Sequence, residues 1–131
     1  MGSTLDAKIV IDATNPLNPD LSGLLLYGDN SGGEKIAKWA SKSKVVKALN
    51  SAFAKVMEHP KINGVKSMML IAGDDVLALN KVAVLIDDLG FQSQKMSGLS
   101  NSRLLEMLGL SLITLGNKEG LGNEIGFLFC T

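Results

Sequence analysis

Three observations predict a layered α/β domain with a mostly parallel sheet of about four strands. Short apolar or β-branched runs recur at residues 9–11, 45–49, 68–72 and 91–96. Stretches of helical period separate them, and the joints between carry Gly, Pro, Asn or Asp. Strands that alternate with helices favour parallel pairing, because a parallel crossover needs a connection of helix length. One strand reversed near a sheet edge fits the same pattern. The chain has 131 residues, 46% of them hydrophobic and 20% charged. That composition can bury a core, and a single domain over residues 1–131 is expected.

Ile9-Val10-Ile11 reads as a strand buried on both faces. Residues 12–20 hold two prolines and two asparagines and form a loop, with Asn15 held out of the helical region by Pro16. Residues 28–33 are a second loop, rich in glycine. A helix follows over residues 34–40, with Ile36, Trp39 and Ala40 on one face. After the strand at 45–49, Asn50 or Ser51 can cap a helix whose apolar positions are Ala52, Phe53, Val56 and Met57; His59-Pro60 ends it. Beyond the strand at 68–72, Gly73-Asp74-Asp75 turns the chain. The helix over residues 76–89 is the clearest, with Leu79, Val82, Ala83, Ile86 and Leu89 on one stripe and Gly90 as its C-terminal cap. Residues 100–115 are Leu-rich on nearly all sides and read as a buried C-terminal helix, closed by Gly116.

Thirteen basic residues balance thirteen acidic ones, which removes the electrostatic case for a nucleic acid or an anionic membrane as partner. One cysteine, Cys130, makes no internal disulfide, and with one histidine it supplies no zinc site unless carboxylates do most of the ligation; a cytoplasmic setting and no metal are expected. No apolar run is long enough to cross a membrane. Met1-Gly2 starts like a myristoylation signal, but position 6 is Asp6 rather than Ser or Thr.

Several motifs read more simply than they look. Residues 28–35 have the glycine spacing of a phosphate loop, but Glu34 stands where the lysine belongs and would repel phosphate. Gly120, Gly122 and Gly126 miss the dinucleotide spacing by one position and follow a helix instead of a strand. Asp74-Asp75 belong to a helix N-terminus and Asp87-Asp88 to an exposed helix side. His59 reads as a surface residue at a helix end. Lys35, Lys38, Lys42, Lys44 and Lys47 read as a solvated face. Thr14, Asn15 and Pro16, together with Asn50, are different: each lies just past the carboxyl end of a predicted strand, where open α/β sheets bind ligands.

The same residues carry a family likeness. Ile9-Val10-Ile11-Asp12-Ala13-Thr14-Asn15-Pro16-Leu17 resembles a mid-chain signature of the deazaflavin-dependent NADP oxidoreductase family. Later landmarks follow in that family's order. They are Ser31-Gly32-Gly33-Glu34-Lys35-Ile36-Ala37, Lys44-Val45-Val46-Lys47-Ala48-Leu49-Asn50, Ala72-Gly73-Asp74-Asp75, Asp87-Asp88-Leu89-Gly90-Phe91 and Arg103-Leu104-Leu105-Glu106. The ferric-reductase domains of six-transmembrane metalloreductases are more distant relatives.

The resemblance implies a partial, three-layer Rossmann-like domain that lacks the N-terminal G-x-G-x-x-G half. It implies the substrate side of a cleft in which hydride passes between NADP and a deazaflavin or flavin. Thr14, Asn15, Pro16, Leu17 and Asn50 would then border the reacting rings, with no catalytic side chain to carry over. Without the pyrophosphate-binding half, the isolated chain is expected to bind NADP weakly and to be inactive. It would need a partner chain supplying that half, or would serve as a non-catalytic remnant that dimerises or binds a partner. Loss of the neighbouring strands would also leave an apolar edge, which predicts a homodimer.

Overall fold

The computed structural model of the chain describes residues 3–131; the Met1-Gly2 start lies outside them. A four-stranded sheet is built from β1 (Ile9–Asp12), β2 (Lys44–Lys47), β5 (Met68–Gly73) and β6 (Gln92–Ser97), in that spatial order. β1 pairs with β2 in parallel, with Ile9 opposite Lys44. β5 pairs with β6 in parallel, with Met68 opposite Gln92. β2 and β5 are antiparallel, with Val46 opposite Gly73. Two of the three pairings are therefore parallel. The reversal falls in the middle of the sheet and not near an edge, because a short hairpin replaces a full crossover between β2 and β5.

That hairpin consists of β3 (Lys61–Ile62) and β4 (Val65–Lys66), joined by Asn63-Gly64. Both turn residues have positive φ, 51° and 80°, the mark of a tight hairpin turn that favours Asn-Gly.

Period-2 alternation along β2 divides the molecule into three layers. Val46 joins Met69, Ile71, Leu79, Val82 and Ile86 in the main core, beneath α3 (Val76–Asp88). Lys47 points the other way, toward α1 (Gly32–Trp39) and α4 (Ser102–Ile113). Each helix shows why it starts or stops where it does. Ser31 caps α1 by accepting from the Glu34 N–H, its hydroxyl donates to the Glu34 carboxylate, and its own N–H donates to Asn30 Oδ1. Asp75 caps α3 by accepting from the Ala78 N–H. At the far end of α3, Gly90 adopts φ 103°, its N–H donates to the Asp87 carbonyl, and Phe91 donates to Ile86. This is a Schellman closure, and Phe91 and Ile86 also meet in the core.

The expected core is corrected in several places. β1 is the edge strand, so Ile9, Val10 and Ile11 are half-buried and not enclosed on both faces. Trp39 is 62% exposed, because the buried side of α1 is its glycine end, Gly32 and Gly33. α2 spans Ala54–Glu58 and starts at Phe53 without a side-chain cap; Asn50 and Ser51 do not cap it. Leu89 is exposed where α3 closes. α4 buries one face, with Leu105, Glu106, Gly109 and Leu112, and leaves Leu104 and Met107 in solvent. No helix among the described residues is long and apolar enough to cross a membrane.

Candidate functional site

The carboxyl ends of β1 and β2 meet α1 and α4 in a buried polar junction. Lys47 stands at its centre, fully buried, with Nζ 2.8 Å from Asp12 Oδ2 and 2.8 Å from Glu106 Oε1. Nζ also donates to the Thr14 carbonyl at 2.5 Å. This corrects the reading of Lys47 as part of a solvated face: an ammonium turned inward from a buried strand needs anions, and Asp12 and Glu106 supply them.

Both carboxylates have further partners. Asp12 Oδ1 accepts from the Thr14 N–H at 2.9 Å and from the Thr14 hydroxyl at 2.7 Å. Glu106 accepts from the N–H groups of Gly32 and Gly33, each at 3.1 Å. Those are the first N–H groups of α1, which carry the positive end of its dipole. A carboxylate from the chain itself thus occupies the place a phosphate would take, which supports reading residues 28–35 as a helix lead-in.

Beside this cluster, Asn15 and Asn50 pair. Asn50 Nδ2 donates to Asn15 Oδ1 at 2.9 Å and to the Leu105 carbonyl at 2.7 Å. Asn15 Nδ2 donates to the Asn50 carbonyl at 2.7 Å. Leu49, immediately before, adopts φ 63°, a costly left-handed turn for a branched residue, and that turn directs Asn50 inward. Asn50 is 5% exposed, and its Oδ1 has no hydrogen-bond partner.

Glycines let these elements approach. A Cβ on Gly109, in the middle of α4, would lie 2.5 Å from Asn15 Oδ1, and one on Gly33 would lie 2.6 Å from Ser102 Oγ. Pro16 packs against Gly32, and its carbonyl accepts from the Leu25 N–H at 2.6 Å. Leu17 bridges to Leu24, so the loop after β1 folds back on itself. At the outer rim, Arg103 holds Glu34 through two hydrogen bonds of 2.9 and 2.6 Å. The guanidinium, with help from Ser31, holds the Glu34 carboxyl below its usual range.

The structure pairs Asn15 with Asn50, and Thr14, Pro16 and Leu17 follow in the same loop after β1. It does not gather the other candidates. Asp74 accepts from the Leu99 N–H at 2.7 Å, and Asp87 from the Ser93 N–H at 2.9 Å. Gly120 and Gly122 lie in an irregular tail and open no helix. Among the described residues, no group of three His, Cys, Asp or Glu side chains is placed to hold a metal. Sequence reasoning assigned no site role to Asp12, Glu106 or Gly109 and placed Lys47 on a solvated face. One signal was present: a lysine between Val46 and Ala48 in an otherwise apolar strand implies a buried counter-charge.

No family profile and no curated protein matches the chain. Solved structures do. The chain superposes with a TM-score of 0.86 on a protein of Arthrobacter sp. FB24 provisionally assigned as an F420-dependent NADP-reductase, at 30% identity over 97% of the chain. The resemblance to the deazaflavin-dependent NADP reductases stands. A hypothetical protein from Sinorhizobium meliloti, SMa0349, matches 74% of the chain with a TM-score of 0.66 and 28% identity. The chain spans 60% of the length of the first neighbour and 49% of the second. The reductase-like fold, with its mostly parallel sheet and C-terminal helix, is thereby shared over nearly all of this chain.

Proposed function

We propose that this chain forms the substrate-facing wall of a hydride-transfer cleft between NADP and a deazaflavin or flavin. The observation that carries this reading is the convergence of loop 14–17 and Asn50 at the carboxyl ends of β1 and β2, in a fold shared with a provisionally assigned F420-dependent NADP-reductase. The residues fit a flat, amide-bearing ring. Asn50 Oδ1 is a buried acceptor without a donor, and a ring carboxamide or ring N–H would complete it. When such rings are bound, they supply the hydride chemistry. The chain's share is to hold and orient them, through the Asn15–Asn50 pair and through a loop pinned by Lys47 and Asp12.

The residues do not fit a pyrophosphate. The sequence contains no G-x-G-x-x-G, and the N-terminal N–H groups of α1 already serve Glu106. The 131-residue chain therefore binds NADP weakly by itself, and full activity requires a nucleotide-binding half from another polypeptide segment or a partner. The second reading, a non-catalytic module that dimerises or docks a partner, is favoured by the edge position of β1.

Isothermal titration with NADP, NADPH, FMN and F420, paired with amide chemical-shift mapping, separates the two. The cleft reading expects the ring ligands to perturb residues 14–17 and Asn50, with NADP affinity weaker than low micromolar. Shifts confined to residues 116–126, or none with any ring ligand, would overturn it.

A further inference from the structure

The buried junction behind the candidate ring site is out of charge balance. One ammonium, Lys47, faces two carboxylates, Asp12 and Glu106, each 2.8 Å from Nζ. All three side chains are enclosed, at most 1% exposed. The first N–H groups of α1, which donate to Glu106, offset part of the excess through the helix dipole. Arg103 does not, since Glu34 takes it up. A formal excess of one negative charge remains, and a buried charge without a counter-charge is costly.

That excess lies against the residues singled out for the ring. Asp12 accepts from the N–H and the hydroxyl of Thr14, at 2.9 and 2.7 Å, and Thr14 is exposed. Glu106 follows Leu105, whose carbonyl accepts from Asn50 at 2.7 Å. Asn50 Oδ1, buried and without a donor, adds partial negative charge of its own. Salt screens enclosed charges far less than surface ones. At an effective dielectric of about 20, a unit charge within about 10 Å changes the affinity for a cation by on the order of tenfold.

We propose that this wall selects the oxidation state of the ring. It binds a cationic nicotinamide ahead of the neutral dihydronicotinamide, and Asp12 and Glu106 are the specificity-determining residues, acting through their field. The proposal rests on the hydride-transfer reading, which supplies the ring, and adds the preference between its two forms. By favouring the cation, the wall favours passage of hydride, with its electron pair, from the dihydronicotinamide to the acceptor.

The test titrates the 131-residue chain with 1-methylnicotinamide, a cation, and with 1-methyl-1,4-dihydronicotinamide, which is neutral and of similar shape. Neither carries a phosphate, so no pyrophosphate site is needed. Both are expected to shift the amides of Thr14, Asn15, Leu17 and Asn50, the cation with a dissociation constant lower by about tenfold or more. Tetramethylammonium, a cation without a ring, should leave those amides unmoved. Asp12→Asn keeps an acceptor for Thr14, and Glu106→Gln keeps one for α1. Each removes one charge and should bring the two affinities together while the neutral ring still binds. Equal affinity in the wild type, or a preference for the neutral ring, would overturn the proposal without recourse to any variant. So would equal shifts with tetramethylammonium, or a preference that persists in either variant with its folded amide spectrum intact. Equal binding of the two rings leaves the ring site standing and removes only the preference. No shift with either ring would overturn the ring site and this proposal together.

Discussion

Gly109 shows how one missing side chain can decide a site. Glycine in the middle of a helix costs about 1 kcal/mol relative to alanine. The cost is tolerated here because a Cβ would sit 2.5 Å from Asn15 Oδ1. Gly109→Ala should therefore destabilise the protein by about 1–3 kcal/mol in urea unfolding, against the direction of helix propensity. It should also shift the side-chain amide resonances of Asn15 and Asn50; a stabilised variant with those resonances unmoved would mean the contact is easily relieved. Lys47 is the second such residue. Lys47→Met leaves Asp12 and Glu106 buried without their cation, at a cost of about 3–5 kcal/mol. Neutralising both acids in the same background, with Asp12→Asn and Glu106→Gln, should recover part of that loss.

At the scale of elements, α1 is held at its N-terminus by three side chains: Ser31, Glu34 and Glu106. Removing the cap with Ser31→Ala should cost about 1–2 kcal/mol. The Glu34–Arg103 pair adds a pH dependence whose sign follows from the carboxyl being held below its ordinary value of 4.5. The native state binds fewer protons there than the unfolded chain does. The contribution is complete above that ordinary value and is lost as pH falls through the lowered one. Between about pH 5 and about pH 3 the wild type should lose more stability than Glu34→Gln does, measured by urea midpoints along the series. Equal slopes would show that the pair adds nothing. The ends of α3 were legible because its caps are local: Asp75 with Ala78, and Gly90 with Phe91, each act within a few residues, whereas the Ser31 cap of α1 was not read and the Asn50 or Ser51 cap expected for α2 does not form. The exposure of α4 was not legible, since a Leu-rich stretch reads the same whether its second face meets protein or water.

For the whole molecule, the position of β1 matters most. The Lys8 and Asp12 carbonyls accept from Lys44 and Ala48 of the β2 segment, so the alternating Ile9 and Ile11 backbone groups face the open edge. An apolar edge strand with unpaired N–H groups is a template for another chain. The 131-residue polypeptide is expected to scatter light as a dimer at micromolar concentration, with slow hydrogen exchange at the Ile9 and Ile11 amides. A monomer in which both amides exchange rapidly would count against pairing through this edge.

The sequence by itself determined the four main strands and the three longer helices, and the β3–β4 hairpin was not among them. Helical and strand periods and turn residues are short-range signals, and a strand end can be read locally, which is how loop 14–17 and Asn50 were singled out as candidates. The order of landmarks from Ile9 to Glu106 also carried the reductase likeness, and the superposition at 30% identity agrees with it. Tertiary structure alone decided what lies across from what. It set the antiparallel join of β2 to β5, the open edge of β1 and the solvent face of α4. It also brought Asp12, Lys47 and Glu106 together, from positions up to 94 residues apart, being 106 less 12. A charge in a sequence does not state its partner. Only the packing of α1 and α4 on one face of the sheet turned a lysine, two acids and two glycine amides into a single closed junction.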